Sequence, residues 1–224
     1  MTAHSQKSAV ILLVATAFCA TQATIAAVAP SRVSNNEFVS PRNPKIQVRV
    51  DPKFEYAGSV PFAIENIASG YRYIFVRVSG QRLGQKLIQR MFIIQQEGFL
   101  PSSTDTYKYR ITNPVKLGSS DYRHSVSFDD NDATIRAEPG KEADVTRKFL
   151  TARGYRMESE MVMARFARPA DSQHRHEIIF FCFENLSSYG HKLTDFPETS
   201  DSPAKQEIER QVDQNCRETF RVID

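Results

Sequence analysis

The sequence predicts an α+β fold: a mostly antiparallel sheet with helices at about 132–138, 142–153 and 203–222 packed on one face. Three observations lead to it. Residues 45–128 hold alternating or β-branched runs separated by Gly, Pro and Asn at hairpin spacing. From Asp129 to Gly154 the period changes from that of a strand to that of a helix. Two long apolar strands and a last amphipathic helix then complete the chain.

In order, Lys45–Val50 places Ile46, Val48 and Val50 on one face and stops at Asp51-Pro52, as a half-buried strand does. Phe54–Ile64, broken by Gly58 and Pro61, reads as an irregular edge strand. Tyr71–Val78 is rich in aromatic and β-branched residues and reads as a strand. Gly80 and Gly84 mark a hairpin connection to Lys86–Gln96. The centre of that return strand, Met91–Ile94, is apolar on both faces, which places it in the middle of a covered sheet. Tyr107–Ile111 and Tyr122–Phe128 alternate cleanly and read as two more strands.

Asp129-Asp130-Asn131-Asp132 offers N-caps for a short helix ending near Pro139. Glu142–Arg153 carries Val145, Phe149 and Ala152 at helical spacing, and Gly154 suits the residue past a helix end. Tyr155–Arg168 and Arg175–Leu186 read as a strand pair across a polar turn. In the last helix Ser202 is the cap and Pro203 the first residue, and Ala204, Ile208, Val212, Cys216 and Phe220 form one stripe.

Residues 1–27 have the order of a secretory signal peptide: Lys7, the short apolar run Ala9–Ala20, then a small-residue exit. The run is shorter than the roughly 20 residues of a membrane span. The expectation is an exported protein, periplasmic or extracellular. Residues 28–44 hold three prolines and read as an extended, mobile lead, followed by a single α+β domain over 45–224. No later segment is long and apolar enough to be an integral membrane helix.

The formal net charge is +3, and Lys7 is the leader's share of it. A balance so near neutral, with Arg and Lys scattered, argues against a nucleic-acid partner. No P-loop, dinucleotide fingerprint or G-x-S-x-G elbow occurs, and no cofactor is expected.

Cys182 and Cys216 remain after the leader. Cys216 lies on the apolar stripe of the last helix, and Cys182 lies in a strand apolar on both faces. Packing one on the other predicts a disulfide. It closes a loop of about 33 residues and so stabilises the fold by constraining the unfolded chain.

Candidate chemistry is sparse. His174 and His176, two apart on a strand, could share a metal, but spacing fixes no third ligand, and a solvated hairpin mouth explains them as well. His124, on the apolar face of its strand, is the one candidate general base, against the ordinary reading of a hydrogen-bonded core histidine. Asp129–Asp132 lacks the EF-hand spacing, so helix capping explains it with less than calcium does. Tyr73, Tyr109, Tyr122 and Arg110 fall on predicted strands and could present phenols and a guanidinium to an amphipathic ligand.

The function these features favour is a non-enzymatic binding domain for a small apolar or amphipathic ligand. The alternatives are an envelope-associated module that takes a partner protein on its edge strand and a hydrolase with a dispersed histidine site.

Overall fold

The computed structural model describes residues 31–112, 114–197 and 202–223, so the expected leader lies outside the described residues. Strands β1 (Arg32–Ser34), β2 (Glu37–Pro41) and β3 (Lys45–Val50) come first, then β4 (Glu55–Ile64) and the long hairpin of β5 (Ala68–Arg82) and β6 (Gln85–Phe99). After β7 (Val115–Leu117) and β8 (Ser120–Asp130) come helices α1 (Asn131–Ala137) and α2 (Glu142–Thr151). The chain ends with β9 (Tyr155–Arg156), β10 (Glu160–Pro169), β11 (His176–Asn185), helix α3 (Pro203–Thr219) and β12 (Phe220–Ile223).

The large sheet runs β4-β5-β6-β11-β10-β8-β7 with every neighbouring pair antiparallel, and β9 adds a short parallel pairing to β6. The small sheet runs β1-β2-β3-β12, also antiparallel. The edge position expected of Phe54–Ile64 is that of β4.

Alternation along the central strands builds two cores. Phe75, Phe92, Phe166 and Phe180 point to one side, where Phe38, Val48 and Phe220 of the small sheet and Ile208, Val212 and Cys216 of α3 cover them. Phe220 stacks on Phe92 with centroids 4.6 Å apart and lies 4.8 Å from Phe180. Ile74, Met91, Ile93, Met161 and Phe181 point to the other side, where Leu150 of α2, Tyr155 and Met157 cover them. The helices therefore do not gather on one face as the sequence suggested. The central strands are apolar on both faces, so both need a cover, and α2 and α3 take one each.

The caps follow the sequence. The Asp130 carboxylate accepts from the backbone N–H of Asp132 and Ala133 at the start of α1, and the Ser202 hydroxyl accepts from Lys205 N–H at the start of α3, with Pro203 in its first turn. Gly154, at φ 77°, takes the left-handed conformation just past α2.

Several segments differ from expectation: the strand read over Tyr155–Arg168 divides into β9 and β10, and three others change more. Residues 32–41, read as part of a mobile lead, form the β1–β2 hairpin, turned by Asn35 and Asn36 at φ 50° and 57°. The last helix stops at Thr219, and Phe220–Ile223 continues as a strand on β3, pairing Phe220 with Val50 and Val222 with Val48. Phe220 suits either structure, but Val222 lies off the helical stripe and is buried only with a strand's period of two. Tyr107–Ile111 forms no strand; residues 104–112 run as irregular chain alongside the large sheet, and Tyr107 N–H donates to the His174 carbonyl at 2.8 Å.

Cys182 and Cys216 form the expected disulfide, Cα–Cα 5.6 Å, tying α3 to the middle of β11.

Candidate functional site

The residues singled out from sequence do not form one site. Tyr73 of β5 and Tyr122 of β8 are buried in the core beneath the small sheet and α3, with β6, β11 and β10 between their strands. Tyr109 sits elsewhere, its hydroxyl donating to the Glu177 carboxylate, and Arg110 is exposed. His124 stacks on Phe166 at 4.6 Å and its Nε2 lies 2.9 Å from Asp213 of α3; burial pulls its pKa down more than Asp213 raises it. His174 takes φ 55° in the turn ahead of β11 and so does not share that strand's face with His176. The His176 ring is held between Asp171 at Nδ1, 2.6 Å, and the Asn43 amide at Nε2, 3.3 Å. Among the described residues no three His, Cys, Asp or Glu side chains are placed to hold a metal ion.

What the structure does bring together lies on the α2 side of the large sheet. A cleft of about 200 Å³ opens between that sheet and the two short helices. Met91 of β6, Met157, and Met161 and Met163 of β10 line it, which is every methionine among the described residues. Ile93, Phe181 and Phe183 complete its apolar wall, and the two phenyl rings stack at 5.9 Å. Local folding explains the gathering. Met161 and Met163 share a face of β10 by strand period, and the register sets Phe183 between Met163 and Met91. Thioethers are flexible and polarizable, so such a wall adapts its shape to what it contacts.

Asp129, Asn131 and Thr134 contribute the polar rim where β8 passes into α1. The Asn131 side-chain amide nitrogen is buried there with no hydrogen-bond partner. A buried donor left unmatched costs about 1–3 kcal/mol, and an acceptor entering the cleft would recover it.

Arg72 of β5 also lines the cleft. Its guanidinium lies 5.7 Å from the Phe62 ring and 5.6 Å from the Phe181 ring. It donates to Gln95 Oε1 at 2.6 Å, to the Glu142 carbonyl at 2.9 Å and to Thr146 Oγ1 at 2.9 Å, and so fastens the first turns of α2 to the sheet. Burial lowers its pKa to about 10, against the raising effect of Glu142 and Glu97. At that value it stays cationic at neutral pH.

A buried polar chain leads away from Arg72. The Gln95 amide donates to Glu97, whose other oxygen accepts from Tyr107 OH at 2.8 Å. Glu97 and Glu177 are cross-strand neighbours on β6 and β11. Burial, first, and the neighbouring Glu97 carboxylate push Glu177 up to about 7, opposed by the Tyr109 hydroxyl and by Arg165, which lies 3.5 Å away. Burial and the same carboxylates hold the Tyr107 and Tyr109 phenols well above the ordinary tyrosine range, so both remain protonated donors.

Sequence reasoning did not single out the four methionines, Gln95 or Glu97 as site residues, and it took Tyr109 for a ligand contact rather than a partner of Glu177. One signal was available for Glu177: it directly precedes the apolar run Ile178–Phe183, where a charge must find a partner. Comparison with family models, curated proteins and solved structures finds no match to this chain.

Proposed function

We propose that this protein is an exported, non-enzymatic binding domain whose methionine-lined cleft takes a small amphipathic molecule. The observation that carries the reading is the convergence of Met91, Met157, Met161 and Met163 with Phe181 and Phe183 on one cleft. Ligand sites are typically apolar pockets with a few placed polar groups. Here the thioethers and phenyl rings would receive the apolar body and the Asn131 amide an acceptor such as a carbonyl or carboxylate. A cavity of roughly 150 Å³ holds benzene, so a cleft of about 200 Å³ suits a ligand of one or two rings or a short branched chain.

Export is supported by the leader pattern of residues 1–27 and by the disulfide, a bond that persists in oxidising compartments.

The test is a native mass spectrum of the exported protein, followed by ligand-observed NMR with phenylacetate and toluene. A discrete excess mass lost on denaturation, or saturable phenylacetate binding blocked by Ala143→Trp in the cleft wall, is the expected result. A bare chain mass with no binding of either probe overturns the reading. Toluene binding as tightly as phenylacetate would remove the role given to Asn131.

A further inference from the structure

We propose that the groove between β7 and β12 binds an acidic, extended peptide segment, which adds as a further strand to the open edge of β12. This surface lies on the far side of the molecule from the methionine cleft and is independent of it.

The groove follows from topology. Among the described residues β12 ends the small sheet and pairs with β3, while β7 ends the large sheet and pairs with β8. Each therefore has one edge without a neighbouring strand. Lys116–Gly118 and Phe220–Ile223 together line a groove of about 780 Å³. A second hollow, about 440 Å³, lies between the β2–β3 corner and the start of β8 and shares Val222 and Ile223 with the first. The two hollows thus adjoin along β12.

Their charge is one-sided. Lys45, Arg49, Lys116, Arg168 and Arg221 line them, with no Asp or Glu among the described lining residues. These five cations come from β3, β7, β10 and β12, far apart in sequence, so the near-neutral net charge concealed them. Two acids stand nearby: Glu37 lies 3.3 Å from Arg49, and Asp121 is the cross-strand neighbour of Lys116. At the inner end, Arg168 lies over the Tyr122 ring at 5.3 Å and donates from Nη1 to the Pro169 carbonyl, yet its Nε is buried with no hydrogen-bond partner.

An unpaired strand edge offers a row of backbone donors and acceptors, and a peptide laid along it gains ladder hydrogen bonds. Cations also blunt edges against aggregation, but one on the strand itself, such as Arg221, serves that purpose. Cations facing the edge from β7 and β10 are not needed for protection. They fit an occupant whose side chains carry negative charge on both sides of its backbone.

The experiment uses the exported protein and a fluorescein-labelled, end-blocked octapeptide of repeated Glu-Glu-Val-Val, which carries glutamate on both faces of an extended strand, followed by fluorescence anisotropy. The expected result is saturable binding that weakens by about tenfold or more with Lys116→Glu or Arg221→Glu and falls as salt rises. Methylating alternate backbone nitrogens of the peptide should abolish binding at unchanged charge, since it removes the ladder donors. Lys116 is exposed, so Lys116→Glu keeps the test valid if Arg221→Glu fails to fold. No saturable binding overturns the proposal. So does equal binding of the methylated peptide, tighter binding of a single-stranded oligodeoxynucleotide at this groove, or its occupation by a second copy of the chain, seen as self-association that Lys116→Glu abolishes.

Discussion

Removing the Cys182–Cys216 bridge should cost this protein about 4 kcal/mol, and the figure can be worked from its position. The two residues are 34 apart in sequence, and the chain-entropy relation assigns a closed loop of that length about 3.8 kcal/mol at 25 °C. Both half-cystines are buried, 4 % and 0 % exposed, so Cys182→Ala/Cys216→Ala also leaves a small void in the core beneath α3. For a domain of this size a loss near 4 kcal/mol lowers Tm by roughly 8–15 °C. The assay is urea unfolding of wild type, reduced wild type and the double alanine variant. The two bridge-free forms should agree within about 1 kcal/mol and show a larger m-value than the oxidised protein, because an unlinked denatured chain exposes more surface. A loss below about 1 kcal/mol in both would refute the reasoning. It would mean that burial of Ile208 and Val212 fixes α3 by itself. Because α3 leads directly into β12, the loosened form should also lose hydrogen-exchange protection at Phe220–Ile223.

Three further outcomes follow from other parts of the molecule. Glu177 is held protonated to about 7 in the fold, whereas an unfolded glutamate ionises near 4.5. Its contribution is thus fully present below about pH 4.5 and is lost as pH rises through 7; Glu177→Gln should reduce the fall in urea midpoint between pH 5 and 8, and an unchanged fall would sink the assignment. Arg72→Met strands Gln95 and the Glu142 carbonyl, so it should cost about 3 kcal/mol or more and expose the amides of α2 to exchange, with protection of α2 equal to wild type as the contrary result. Gly70→Ala would drive a methyl group into the Gln96 carbonyl and to within 2.9 Å of Glu97 Cα across the β5–β6 pairing, and should destabilise by about 2 kcal/mol or more. A loss under about 0.5 kcal/mol in chemical unfolding would show that the hairpin yields there.

The parts of this fold that were legible in the sequence are those set by neighbours in the chain. Period two marks β3 and β8, runs apolar on both faces mark the inner strands, and the capping residues Asp130 and Ser202 mark the starts of α1 and α3. Cys182 and Cys216 could be paired because each lies on an element whose apolar face is unambiguous. The errors arise where two periods compete or where a partner is distant. Phe220 satisfies both a helix and a strand, and β3, some 170 residues earlier in the chain, decides between them. Asn35-Asn36 is a turn signal inside a segment that otherwise reads as polar lead, and its hairpin becomes worth forming only once Phe38 finds the core.

Both candidate sites follow the same logic in a harsher form, since neither has any local signature. Met91 and Met163 meet only because β6 and β10 flank β11; the five basic residues of the groove meet only because two sheets end side by side. The central strands supply the reason that both sites exist. Their two apolar faces require two covers, and the chain has only short helices for one and a four-stranded sheet with α3 for the other. Helix α1 contributes no buried residue, so the cover on the α2 side closes incompletely and leaves the methionine cleft. The small sheet ends at a strand of four residues, so the cover on the other side leaves an open edge facing β7. A longer α1 or one more strand beyond β12 would bury the apolar surface better and would remove both openings. Substitutions that fill them, Ala143→Trp in the cleft or a tethered strand along β12, should therefore raise stability while abolishing binding, the combination expected where a fold keeps an imperfect cover for the sake of a site.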